Sequence, residues 1–389
     1  MDSAPSKHGF YYWVDHTSSF DGNSGVQRVT RLLARAFQNL GRSPLFVNWD
    51  EKNGRPRPSS PRELATLSKF GGPIAAGAAV PAFNGFSPGD WLIFPEVPHV
   101  TLRKRSPVEG VFSFAKSEGL RMAWIFYDAI PLTTPGYEEM RLLHEAYMRL
   151  LQRADHVFPI SRAAEADLRA FWKTEGIPGE EKIRTILLPG EFPETPRSSG
   201  ELPSGPVIRF LSVGSVEKRK NHAKLIAAFQ RFCREYPFTD VRLTIVGHVA
   251  ARLYPLLRRA AREFPRITYT GFISDDRLKE LYASSHATVF PSTSEGFGLP
   301  ILESLWHGKP CLCAGFGAMG EVASGGGCLT VDVRFASEIF EGIRRLVFDG
   351  QLRKKLAMEA ASRPIKTWKE YAGEIMGHLE EPRATMPVG

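Results

Sequence analysis

The sequence predicts an α/β protein built as two Rossmann-like domains, with parallel sheets facing each other across a central cleft. Three observations carry that reading. Apolar strand-like runs alternate with helix-period runs from end to end, the pattern of layered parallel sheets. A stretch rich in Pro, Gly and Ser, PGEFPETPRSSGELPSGP from Pro189 to Pro206, divides the alternation into two halves. The length of 389 residues also exceeds what a single hydrophobic core holds, about 250–300 residues. The division expected is 1–195 for the first domain, 196–365 for the second, and 366–389 for a last helix that crosses back to the first.

In the first half, Phe10 to Val14 reads as a strand that enters a glycine-containing loop. A helix from about Val26 to Leu40 follows and stops at Gly41. Further strands are expected at Trp91 to Phe94, Met122 to Phe126, His156 to Pro159 and Ile183 to Leu188. The Pro-, Gly- and Ser-rich chain from about Asp50 to Pro88 reads as one long loop, functional or mobile. In the second half, strands are expected at Ile208 to Val213, Leu243 to Val246, Ile267 to Thr270, Ala287 to Phe290 and Cys311 to Ala314. Helices fall at Asn221 to Tyr236, Asp275 to Ser284 and Pro300 to His307, and Thr367 to Leu379 forms the last one. Sheets of this kind bind ligands at the carboxyl ends of their strands.

Composition sets limits on function. With 43% hydrophobic and 24% charged residues the chain is an ordinary globular one. Cys233, Cys311, Cys313 and Cys328 form no CxxC pair and read as free thiols in a reducing compartment. His99, His144, His222 and His286 have no metal-ligand spacing, and no paired carboxylates mark a divalent cation site, so no metal or other cofactor is expected. No leader pattern or membrane-spanning apolar run is visible, and a cytoplasmic location is expected. The net charge of +8 has two readings: a scattered solvated surface, or a basic face on the inner side of an anionic membrane, with Arg103, Lys104 and Arg105 as its densest cluster. No aromatic–basic interleaving points to nucleic acid.

The densest chemical signal is EGFGLPILE, Glu295 to Glu303, which places two carboxylates around two glycines and a proline at a strand-to-helix turn. Glycines permit close backbone approach to a ligand, and free amides at the helix start favour an anion. The same half opens with FLSVGSVEKRKNH, Phe210 to His222. Its strand ends at Gly214, and Lys218, Arg219 and Lys220 precede a helix, which suits a phosphate clamp or, read plainly, a solvated basic turn. In the first half, Asp21 to Gly25 leads into a helix carrying Arg28, either a second phosphate-facing loop or a tight turn. Asp128 ends a strand and reads as an acid–base candidate or as the cap of the next turn. Glu96 also ends a strand and reads as a pocket residue or a structural one.

VGSVEKRKNH, YTGFISDDRLKELYASSHATVFPSTSEGFGLPILESLWHGKP and the EV at Glu321 resemble the retaining nucleotide-sugar glycosyltransferases of the GT-B fold. Within them the resemblance is to the group with bacterial mannosyl- and rhamnosyltransferases of surface-polysaccharide assembly. The E-x7-E spacing of Glu295 and Glu303 matches that group's signature. The first half resembles it more thinly, through SGVQRV, FYDAIPL and ADHVFPISRAAEADL.

The resemblance implies a metal-independent, retaining hexosyltransferase whose partners are a nucleotide-sugar donor and a glycan or lipid-linked acceptor. The donor implied is GDP-mannose, with UDP- or dTDP-sugars as alternatives. A nucleotide-sugar epimerase or hydrolase, or a non-catalytic glycan-binding relative, also shares the fold. By the same resemblance Glu303 binds the ribose, and Glu295 with the amides of Gly296, Phe297 and Gly298 holds the sugar. The Leu299 amide meets the diphosphate, which Arg219 and Lys220 neutralise. Thr270 to Ile273, with Phe272, lies against the base above Gly247. Gly214 and Gly25 open the two phosphate-facing loops. Asp128 is the acceptor-side candidate, flanked by Tyr127, where relatives often carry histidine, and Glu96. Ser215 stands where many relatives have an arginine.

Overall fold

The computed structural model describes residues 8–74, 83–97 and 107–381. The chain divides into two compact units, one reaching Pro189 and taking in Lys366 onward, the other Gly190–Ile365. The basic cluster Arg103 to Arg105, and His99, lie outside the described residues.

The first unit runs β1 (Phe10–Trp13), α1 (Gly25–Asn39), β2 (Leu45–Asp50), β3 (Arg55–Pro58), α2 (Pro61–Leu67), β4 (Trp91–Phe94), α3 (Pro107–Ser117), β5 (Arg121–Phe126), α4 (Ile130–Thr133), α5 (Glu138–Leu150), β6 (His156–Pro159) and α6 (Arg162–Thr174). Its sheet has the order β3-β2-β1-β4-β5-β6, parallel except for the β2–β3 pair. The strands are buried on both faces, which is why they read as unbroken apolar runs. Trp124 of β5 stacks on Phe94 of β4 with centroids 3.8 Å apart, and Phe112 of α3 lies 5.2 Å away over it.

The second unit runs β7 (Ile208–Val213), α7 (His222–Glu235), β8 (Val241–Val246), α8 (Tyr254–Glu263), β9 (Ile267–Tyr269), α9 (Asp275–Ser284), β10 (Ala287–Phe290), α10 (Leu299–Trp306), β11 (Cys311–Ala314), α11 (Gly317–Ala323), β12 (Cys328–Val331), α12 (Ala336–Phe348) and α13 (Gly350–Ser362). Its strand order, β12-β11-β10-β7-β8-β9, is wholly parallel. Each sheet is thus doubly wound about its first strand. The crevice where such sheets take ligands lies where the order reverses, after β1 and β4 in one unit and after β7 and β10 in the other.

The last helix, α14 (Trp368–Glu380), belongs to the first unit. It buries Tyr371 and Ile375, Arg42 pairs with Glu380 at 2.5 Å, and the Trp91 indole N–H donates to the Leu379 carbonyl at 3.1 Å.

Three expectations need correction. Ile183 to Leu188 is no sheet strand: it shares one isolated bridge with β6, and Arg184, Ile186 and Leu188 donate backbone bonds toward β6 and the residue after it. The stretch from Asp50 to Pro88 is not one loop, since it holds β3 and α2, and Ser60 and Glu63 form a reciprocal cap at the start of α2. The expected linker is a strap on the second unit, so the first boundary falls at Pro189/Gly190 and not at 195/196. Phe192 is buried beside Tyr282 and Trp306, the Trp306 indole donates to the Thr195 carbonyl at 2.9 Å, and Lys309 Nζ reaches the Glu201 carbonyl at 3.0 Å.

Candidate active site

In the second unit, β7 leads into Gly214, whose φ of 143° favours glycine, although an added Cβ there would meet nothing within 4 Å. Gly247, after β8, lies against it: a Cβ there would stand 2.2 Å from the Gly214 carbonyl oxygen. The chain from Gly214 turns through Val216, which bridges Val249, and reaches Asn221 at a left-handed φ of 59°. The Asn221 side chain, buried, donates to the Val333 carbonyl at 2.7 Å and pins the start of α7.

Arg219 and Lys220 leave this turn toward the loop after β10. Arg219 lies 2.7 Å from Glu295 Oε2 and Lys220 2.6 Å from Glu295 Oε1. Arg219 also donates to the Ser294 carbonyl at 2.9 Å and contacts Glu217 at 3.0 Å, while its own carbonyl accepts from the Thr293 amide at 2.9 Å. Lys220 is held from another side by the face of Phe290, 4.9 Å from the ring centre. The three charged side chains are nearly enclosed, with exposures of 10–17%. Burial pushes the Glu295 carboxyl up, but Lys220 and Arg219 outweigh it and hold the pKa below the usual carboxylate value.

Ser215 takes part as well. Its hydroxyl donates to Glu217 at 3.0 Å, and Glu217 pairs with Arg219. The position where relatives carry an arginine therefore feeds the same network through a carboxylate. Beneath it, His222 is buried, 3.4 Å from the Ser212 hydroxyl, and burial followed by Lys220 drives its pKa down to about 3. A neutral imidazole adds no charge to a cluster already dense in it.

The loop from Pro291 to Gly298 ends with Gly298 at φ 120°, and α10 starts at Leu299. The amides of Gly296, Phe297 and Gly298 belong to this turn, whereas the Phe297 ring is buried and offers a ligand nothing but backbone. Glu303 lies one turn into α10, buried, with the Tyr282 hydroxyl 3.3 Å away. Phe272 is 74% exposed and stacks on His248 at 5.7 Å, while Ile273 packs on the core. Gly247 donates its amide to the Gly271 carbonyl at 3.0 Å and ties the two loops together.

In the first unit, Asp128 follows β5. One of its oxygens accepts from the Ile130 amide at 3.0 Å, and its carbonyl lies 2.9 Å from His144 Nε2. The aspartate thus closes an Asx turn at the entry to α4, whose cap position is Ala129, and stands among titrating groups. Burial, then the Asp128 charge, pushes the Asp167 carboxyl up. Burial lowers His144 against the pull of Asp128.

Tyr127 and Glu96 are spent within the fold. The buried Tyr127 hydroxyl donates to the Pro95 carbonyl at 2.5 Å. Glu96, 1% exposed, accepts from the His16 amide at 3.0 Å and the Thr17 amide at 2.6 Å. Gly25 is the first residue of α1, after a reciprocal Ser24–Gln27 cap.

Burial outweighs these bonds and carries the Glu96 pKa up to about 7. The native state then binds more protons than the unfolded chain between the ordinary carboxylate value and pH 7, so this group's stabilisation is lost as pH rises through that window. Relative to Glu96→Gln, the wild type is expected to lose on the order of 3 kcal/mol from pH 5 to 8. Thermal unfolding of both proteins across that range measures it, and parallel curves refute it.

Among the described residues no group of His, Cys, Asp or Glu is placed to hold a metal ion, and no helix is long and apolar enough to cross a membrane.

The doubly wound sheet of the second unit carries a glycine-bounded ion cluster at its switch point. Residues 197–363 match the family described as Glycosyl transferases group 1. The chain carries that match within its second unit. It is 28% identical over 271 residues to O-antigen chain mannosyltransferase B of Escherichia coli, covering 65% of this chain and 67% of that one. Over 118 residues it is 37% identical to the serotype-specific mannosyltransferase WbdA of the same species, which is 29% of this chain and only 14% of the relative. Among solved structures, sucrose-phosphate synthase from Thermosynechococcus elongatus aligns at TM-score 0.67 and 19% identity, over 96% of this chain and 98% of that one. Anabaena HepE in complex with UDP and glucose aligns at 0.64 and 14%, over 96% and 99%. These likenesses establish the GT-B class of fold.

Proposed function

We propose that the protein transfers mannose from GDP-mannose, with retention at the anomeric carbon, to a hydroxyl of a glycan or lipid-linked glycan in surface-polysaccharide synthesis. The observation that carries this reading is the enclosed Arg219–Glu295–Lys220 cluster beside the start of α10. Two cations held beside the start of a helix suit a departing diphosphate, and the carboxylate between them suits the hydroxyls of the sugar it leaves. Support for the donor comes from relatives named as mannosyltransferases. One of these, a GDP-mannose-dependent mannosyltransferase of Mycobacterium tuberculosis, is 30% identical over 174 residues.

In the step itself the bond from the anomeric carbon to the diphosphate oxygen breaks, and a bond to the acceptor oxygen forms on the same face. The electron pair leaves with the diphosphate, and Arg219 and Lys220 stabilise the charge that develops there, so no divalent cation is required. The acceptor proton passes to the leaving phosphate or to Asp128. Glu303 holds the ribose, and Phe272 with Ile273 borders the base.

The test is incubation with GDP-mannose and a synthetic mannoside in the presence of a chelator. The expected product is an α-linked mannoside at an undiminished rate. Transfer from UDP- or dTDP-sugars instead would move the donor assignment. Release of free sugar at full rate without acceptor would favour an epimerase or hydrolase. Asp128→Asn is expected to lower transfer about 10²-fold if the carboxylate takes the proton, and normal transfer by that variant removes the role.

A further inference from the structure

Two buried ionisable groups in the first unit, Glu96 and Arg31, grip the backbone of one exposed loop. Glu96, after β4, holds the amides of His16 and Thr17 at the start of a 3₁₀ turn, Thr17–Ser19. Arg31 of α1, 0% exposed, donates to the carbonyls of Gly22 at 2.8 Å, Phe20 at 3.1 Å and Thr17 at 3.4 Å, and to the Asn23 side chain at 3.0 Å. The Arg31 guanidinium is covered by the Phe70 ring at 5.0 Å, and Phe70 adopts φ 56°, a strained value for an aromatic residue. Buried charges are costly, and all of these bonds fix a single loop at the switch point of the first sheet.

What the loop presents is an aromatic face. The Phe20 ring is 45% exposed and stacks on the His16 imidazole, 5.2 Å apart at 17°. Gln27 lies 2.7 Å from His16 Nδ1, and burial, then Arg31, lowers the His16 pKa, so the imidazole is neutral and orients with the stack. Gly22 is required beneath the ring, since a Cβ there would lie 2.3 Å from Phe20. Ser19 and Asp21 flank Phe20 in the loop, with the Ser19 hydroxyl bonded to the Asp15 carbonyl at 3.0 Å and the exposed Asp21 paired with Lys69 at 2.7 Å.

We propose that Phe20, set on His16, is the platform on which a sugar ring of the acceptor glycan stacks. A pyranose has an apolar C–H face for the ring and hydroxyls at its edge for the flanking polar residues, a fit that neither a lipid chain nor a phosphate shares. The proposal rests on the glycosyltransferase reading above and adds the acceptor subsite to it. Glu96 and Arg31 act as positioning residues for that ring.

The test compares Phe20→Ala, Phe20→Tyr and Gly22→Ala with the wild type, using GDP-mannose with methyl mannobioside and with a long-chain alkyl mannoside. Phe20→Ala is expected to raise the KM for methyl mannobioside about 5- to 10-fold, with the KM for donor and the background hydrolysis of donor unchanged. Gly22→Ala should likewise raise the KM for methyl mannobioside by displacing the ring, and Phe20→Tyr should keep the wild-type value. An unchanged acceptor KM in a folded Phe20→Ala overturns the platform. So does a defect confined to the alkyl mannoside, which would make the ring a lipid contact, or an equal loss of donor binding. Failure of the wild type itself to transfer to any mannoside would instead remove the proposed function.

Discussion

Glu295→Gln is expected to lower kcat by about 10²-fold or more, with a smaller effect on donor affinity. The carboxylate is enclosed and charged, with a cation 2.7 Å from one oxygen and 2.6 Å from the other. The neutral amide keeps the shape and loses the charge that opposes Arg219 and Lys220. If Glu295 meets the sugar as positive charge develops at the anomeric carbon, the loss falls on kcat. If it serves only to hold the two cations, the loss falls on donor KM and kcat is spared. Removing one partner of an enclosed ion cluster also costs about 3–5 kcal/mol of stability, so turnover must be referred to folded protein. Steady-state kinetics beside thermal unfolding separate the terms, and unchanged activity in Glu295→Gln overturns the site assignment.

The second large effect is a backbone one. Gly247→Ala is expected to lower the apparent unfolding temperature by about 10 °C and to abolish measurable donor stabilisation. Its φ is 137°, and the added methyl would stand 2.2 Å from the Gly214 carbonyl oxygen, a fixed group on the neighbouring strand end. Strain of this kind costs about 3 kcal/mol or more, and each kcal/mol is worth about 2–4 °C in a domain of this size. The displaced groups are the loops that carry the Arg219 turn and Phe272. Gly373→Ala, in the exposed middle of α14 with nothing within 4 Å of the added methyl, is the control and should be neutral or stabilising. Equal behaviour of the two variants in a melting experiment refutes the close-approach argument.

Much of the fold was legible because both sheets, apart from the β2–β3 pair, are parallel and their central strands are covered on two faces. Trp91–Phe94, His156–Pro159, Ala287–Phe290 and Cys311–Ala314 appear as short apolar runs at the positions expected. What escaped lies at sheet edges or carries polar residues. β3 is RPRP, an edge strand whose prolines argue against any strand. β2 turns polar at Asn48 and Asp50, and Asn48 is buried only because it bonds Ser18 and Ser59. β12 is a four-residue edge strand. The reverse error, Ile183 to Leu188, arose because an extended apolar segment looks the same whether or not a second strand pairs with it.

The sequence by itself determined the α/β class, the two halves, the glycine-bounded loop after β10 and the residue types of the candidate site. Periodicity, turn chemistry and motif spacing are local properties, and a chain displays them before it folds. Only the tertiary structure decided who pairs with whom. Glu295 lies about seventy-five residues from Arg219 and Lys220 in sequence, and nothing local reveals that it closes between them. The same holds for Glu96, whose reading as a pocket or a structural residue stayed open, and for Arg31, which carried no signal: the fold brings both onto one loop and leaves Phe20 exposed. Parallel topology is the physical reason: each crossover carries consecutive strand ends to the same edge of a sheet, so site residues distant in sequence converge there while their sequence neighbours go into the core.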